Sequence, residues 1–226
     1  MPNHSGDGGN KLEIVGKFIY DGNGFIIASS TMSYGISFDI LLLKVNEDGI
    51  KQWGKRYGGG NEDVAHSILK DNDGYVIIGY TFSYGKEESD IWLIKVDKEG
   101  NEIWKKVYGG GEYEYIKDFE IIDDGYILAG FTESYNVGNF DAWLLKVDKE
   151  GNEIWNKSFG GRWEDKFEGI IVLEDGYLLC GKTEHEWAYT NGWLVKCNDE
   201  VPPKIKIIKP KENHFYIFDR EIFPTV

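Results

Sequence analysis

Two sets of acidic residues recur along this chain in one register. Asp63, Glu114 and Asp165 form one set, and Asp39, Asp90 and Asp141 the other. Paired carboxylates can serve as general acid and base, and rings of them can hold a cation. Recurrence argues for a different use. A group needed once per active site should not return in every repeat. A Thr and a Trp recur around the second set, as Thr81, Asp90 and Trp92 and again as Thr132, Asp141 and Trp143. A Thr ending one strand, an Asp in the next turn and a Trp in the following strand predict a bracing hydrogen-bond network.

Other candidate chemistry is thin. Asp71-Asn72-Asp73-Gly74 begins like a calcium loop, but its twelfth position is Phe82 where a Glu is needed. Tyr57-Gly58-Gly59-Gly60 lacks the Lys-Ser/Thr of a phosphate loop. His4, His66, His185 and His214 share no metal-ligand spacing, and no nucleophile–His–acid pattern stands out. The sequence therefore calls for no cofactor and no metal. Cys180 and Cys197 are the only cysteines. Each replaces an aliphatic residue of the other copies, and the strand register predicts opposite faces, hence free thiols.

The elements that position these residues follow from the repeat, since a fixed period sets the fold class. Asp73-Gly74-Tyr75 returns as Asp124-Gly125-Tyr126 and Asp175-Gly176-Tyr177, after a weaker Asn23-Gly24-Phe25. Lys44, Lys95, Lys146 and Lys196 keep step, as do Trp53, Trp104 and Trp155. Each unit reads as four short strands rich in Ile, Val, Tyr, Phe and Trp. In the second copy these are 64–69, 75–80, 91–96 and 103–108. The middle two are apolar on both faces, as in a sandwiched layer. Asp97 to Asn101 predicts a hairpin with one residue at positive φ. Four strands in about 50 residues predict an all-β chain, a β-propeller of about four four-stranded blades. The blades run about 8–57, 58–108, 109–159 and 160–200, and the fourth lacks its Trp strand. If the ring stays open, its end faces are apolar and self-association is expected.

Composition agrees. Of 226 residues, 15% are aromatic, which suits blades packed by rings. No apolar run is long enough to span a membrane as a helix. Met1 to Asn10 is polar and gives no secretory signal. No proline falls between residues 3 and 201, as continuous strand ladders require. Residues 1–200 hold 20 Lys and Arg against 36 Asp and Glu, while residues 201–226 hold 5 against 3. That acidity opposes nucleic-acid binding. The charge shift and the prolines place a boundary near residue 200. Beyond it, residues 201–226 read either as the start of an immunoglobulin-like β module or as a tail docked on the last blade. The linker prolines favour the first.

The unit Gly-Gly…Asp…Asp-Gly-Tyr-x-x-x-Gly-x-Thr…Asp-x-Trp-Leu-x-Lys-x-Asp-x-x-Gly-x-x-x-Trp resembles a propeller-like repeat of archaeal and bacterial surface or secreted proteins, often followed by immunoglobulin-like modules. The resemblance spans about residues 6 to 198. It implies an extracellular or cell-surface, non-catalytic role as a binding or spacer module. The segments Asp97 to Trp104 and Asp148 to Trp155 also resemble docking segments of quinone-dependent propeller enzymes. A fragment of such an enzyme, or of a carbohydrate-active one, is the alternative. In a propeller, the connections before the first strand and between the second and third share one face. That face would carry Tyr34, Tyr84, Tyr113, Tyr135, Trp163 and Trp187, aromatics suited to a protein or glycan partner.

Overall fold

The computed structural model describes residues 13–32, 37–136, 138–185, 189–199 and 205–207. They form sixteen strands and no helix. The first sheet holds β1 (Glu13–Tyr20), β2 (Phe25–Thr31), β3 (Asp39–Val45) and β4 (Lys51–Tyr57). The second holds β5 (Asp63–Lys70), β6 (Gly74–Thr81), β7 (Asp90–Asp97) and β8 (Glu102–Tyr108). The third holds β9 (Glu114–Ile122), β10 (Gly125–Thr132), β11 (Asp141–Asp148) and β12 (Glu153–Phe159). The fourth holds β13 (Asp165–Leu173), β14 (Gly176–His185), β15 (Tyr189–Cys197) and β16 (Ile205–Ile207). Each is an antiparallel meander in chain order.

β16 departs from the favoured reading of residues 201–226. Ile205–Ile207 pairs antiparallel with β15, with Val195 opposite Ile207 and Cys197 opposite Ile205. That is the place β4, β8 and β12 hold in their sheets. The fourth sheet thus recovers a short outer strand from beyond the prolines. An immunoglobulin-like continuation falls outside the described residues.

Successive sheets stack face to face, and their first strands β1, β5, β9 and β13 pack on one another in chain order. One face of each middle sheet meets the preceding sheet and the other meets the next. Ile26, Ala28, Ile40 and Leu42 of the first sheet pack on Tyr75, Ile77, Trp92 and Ile94 of the second. Val76, Ile78, Ile91 and Leu93 of the second pack on Tyr126, Leu128, Trp143 and Leu145 of the third. Ile127, Ala129, Ala142 and Leu144 of the third pack on Tyr177, Leu179, Trp193 and Val195 of the fourth. Side chains that alternate across a strand thus enter two different cores. For this reason β6, β7, β10 and β11 are buried along almost their whole length.

Hairpin chemistry follows the turn requirement. Gly100 and Gly151 sit at φ 76° and 75°, a conformation glycine takes without a Cβ penalty. The Asp97 carboxylate accepts from the backbone N–H groups of Glu99 and Asn101 and fixes the turn. The ring of Trp53 lies where a Cβ on Gly100 would be, and Trp104 does the same at Gly151. A tryptophan on the outer strand of one sheet is thereby seated against the hairpin of the next.

Candidate functional site at the mouth of the first strands

The first set of recurring acids, Asp63, Glu114 and Asp165, is committed to the scaffold. Thr81 and Asp63 are register partners, and the Thr81 hydroxyl donates to the Asp63 carboxylate. Asp63 also accepts from the Ser83 hydroxyl at 2.7 Å and from the Gly59 N–H at 2.8 Å. In the third sheet Thr132 donates to Glu114 at 2.8 Å, and Gly110 N–H donates to it at 3.1 Å. Gly161 N–H donates to Asp165 at 3.0 Å in the fourth. The brace predicted through Thr81, Asp90 and Trp92 has a different wiring. Thr81 stands between Asp63 on one side and Asp90 on the other, and its hydroxyl turns to Asp63. Asp90 accepts instead from the Lys86 N–H at 2.8 Å. Among the described residues the buried Trp92 indole N–H has no hydrogen-bond partner. Trp143 donates to Asn156 at the long distance of 3.5 Å.

The two sets of acids meet where one sheet passes to the next. A Cβ on Gly109 would overlap Asp90 Oδ1 and Glu114 Oε2, and one on Gly160 would meet Asp141 and Asp165. Gly109 and Gly160 therefore each make room for two carboxyl groups, and Gly58 makes room for that of Asp39. Burial pushes Asp90 and Glu114 above the usual carboxylate range, and the nearby Asp90 charge adds to the rise at Glu114. Burial raises Asp165 to about 6, against the bonds from Thr183 and Gly161.

The loop aromatics divide into two groups. Tyr84 lies against Trp92, centroids 5.1 Å apart, and donates to the Gly58 carbonyl at 2.9 Å. Tyr135 lies against Trp143 at 5.8 Å and donates to the Gly109 carbonyl at 2.8 Å. Each thus ties its loop to the glycine segment leading into its own sheet, with Tyr84 half-buried and Tyr135 exposed. Tyr34 and Trp187 lie outside the described residues. Tyr113 stacks on Tyr115, and its hydroxyl bonds Glu88. Trp163 carries the Arg162 guanidinium over its ring at 5.5 Å.

Tyr113 leads into a cluster that the sequence reading missed. Tyr115 stacks on Phe131 at 4.9 Å, and Phe131 meets Phe140 edge-on at 5.1 Å. The Lys166 ammonium lies 4.5 Å from the Phe131 centroid and 4.2 Å from that of Phe140. The Lys117 ammonium also stands over Phe131 at 5.7 Å. Each first strand carries one extra residue: Gly16, His66, Lys117 and Glu168 in turn. Such bulges re-aim a side chain out of the ladder. All four residues are exposed. His66 Nε2 lies 3.2 Å from the Lys117 carbonyl, so adjacent bulges touch. Here the sheets differ from one another, whereas the braces and cores repeat.

Among the described residues no three His, Cys, Asp or Glu side chains are placed to hold a metal ion. No helix among them is long and apolar enough to cross a membrane. Both cysteines are free, with Cys180 exposed and Cys197 buried. No protein-family model matches the chain, and no curated protein matches it.

Proposed function

We propose that the chain is a β-propeller module of four blades that acts without catalysis, binding a protein or glycan partner or spacing domains in a surface or secreted protein. The observation that carries this reading is the division of labour among its polar residues. The first set of recurring acids, Asp63, Glu114 and Asp165, is spent on Thr hydroxyls and glycine N–H groups. What varies between sheets is a cluster of Tyr113, Tyr115, Phe131, Phe140, Lys117 and Lys166, in which Lys117 is exposed, Phe131 is buried and the others are half-buried. Rigid aromatics with cations beside them suit recognition of a polar, partly apolar surface. Repetition of the sheet, stacking by first strands and a fourth strand recovered from the tail support the propeller arrangement.

The test is a screen of the purified chain on immobilised glycans and candidate surface proteins, with product analysis on every retained ligand. Retention without turnover supports the reading. Turnover of any glycoside would overturn its non-catalytic part and favour the enzyme-fragment alternative.

A further inference from the structure

The junction between sheets occurs three times within the chain, and among the described residues no sheet covers its two halves at the first and fourth sheets. Phe18 of the first sheet is 62% exposed, whereas its counterparts Ile68, Phe119 and Ile170 are at most 2% exposed beneath a preceding sheet. Ile27, Leu41, Leu43 and Val45 on the same face are only half-buried, while Ile77, Trp92, Ile94 and Val96 in the second sheet are buried. The hairpin at Gly49 has open space where Gly100 and Gly151 each receive a tryptophan. On the fourth sheet the opposite face is partly open, with Leu178 and Leu194 only half-buried. Ile171 is 53% exposed, and Cys180 is exposed where Ala28, Ile78 and Ala129 are sealed in cores.

The polar details of these two faces also match. Within the chain, a Tyr hydroxyl of one sheet reaches an Asp of the preceding one, as Tyr75 reaches Asp21 and Tyr126 reaches Asp71. The first sheet has Phe25 at the Tyr position, and the fourth has Leu173 at the Asp position. A fourth-to-first junction therefore leaves neither a hydroxyl nor a carboxylate stranded, which burial would penalise.

We infer that a second copy of this chain docks its first sheet on the outward face of the fourth sheet, continuing the internal stacking from chain to chain. The contact is heterologous, so it closes as a ring or extends, according to the rotation per chain.

Sedimentation velocity over a concentration series tests this with Phe18→Glu and Ile171→Glu, both at exposed sites. Circular dichroism melts establish that each variant is folded. The wild type is expected to rise from its 25.8 kDa monomer to at least twice that mass. Each variant alone is expected to stay monomeric. Mixed, the two variants retain one good face each and should form a two-chain species and nothing larger. Reaction of Cys180 with a thiol reagent should slow as wild-type concentration rises, and not in Phe18→Glu. A wild type that stays monomeric with Cys180 equally reactive throughout would overturn the inference. So would an Ile171→Glu variant that still associates, which marks first-sheet pairing, or a mixture that remains monomeric.

Discussion

Asp199 holds Lys146 at 2.7 and 2.8 Å and accepts the Tyr177 hydroxyl at 2.6 Å. One sheet earlier Asp71 does the same for Lys95 and Tyr126. The residue matching Asp71 in the third copy is Ile122, so a carboxylate from the end of the fourth sheet has taken over. Burial alone would lower Lys146; its bonds to Asp199 and Asp124 hold it above its ordinary range. Asp199→Asn should cost about 1.5–3 kcal/mol, the value of a hydrogen bond to a charged group. Adding Ile122→Asp should return most of that loss, because it rebuilds the arrangement of the second sheet. Chemical denaturation of the single and double variants reads both.

Gly109→Ala should destabilise the fold by about 1–3 kcal/mol, as overpacking of a tight site does. The added methyl group has nowhere to go between Asp90 and Glu114. Gly111→Ala is the control, since no atom lies near its Cβ position, and it should melt within a degree or two of wild type.

The buried acids predict an unusual pH response. Asp165 has a folded pKa of about 6 against 3.8 for a free side chain. Between those values the folded state binds more protons than the unfolded one, so stability falls as pH rises through this window. The contribution of Asp165 is about 3 kcal/mol at most, fully present below pH 4 and lost above pH 6. Asp71, Asp97 and Asp148 are held low by their hydrogen bonds and act in the opposite sense below pH 4. The melting temperature should therefore peak on the acid side of neutrality. Asp165→Asn should flatten the slope between pH 4 and 6, as read by calorimetry at several pH values.

Strand positions were legible because apolar runs and turn residues repeat in register. The expected strand 75–80 is observed as Gly74–Thr81 and 91–96 as Asp90–Asp97. The site was less legible. Strict alternation puts Val64, His66 and Ile68 on one face, yet Ala65 and Ile68 share a core because a bulge at His66 shifts the phase. Residue types do not announce a one-residue insertion that recurs in each copy. The differences at 115, 117, 131 and 166 were visible in the sequence, but only the fold brings them together. Asp90 is the acid nearer to Thr81 in sequence, and spacing alone points the brace to it. A central strand has neighbours on both sides, and the hydroxyl chose the earlier one.

Recognition at the mouth tests the proposed function most directly. Ligand retention should be compared for the wild type, Tyr113→Ala and Lys117→Glu on the same immobilised glycans and proteins. Neither Tyr113 nor Lys117 is fully buried, so both variants should melt like the wild type. The expected result is a tenfold or greater loss of retention in each variant, with no product released by any form. Retention indifferent to both substitutions, or product formed by the wild type, would contradict the account.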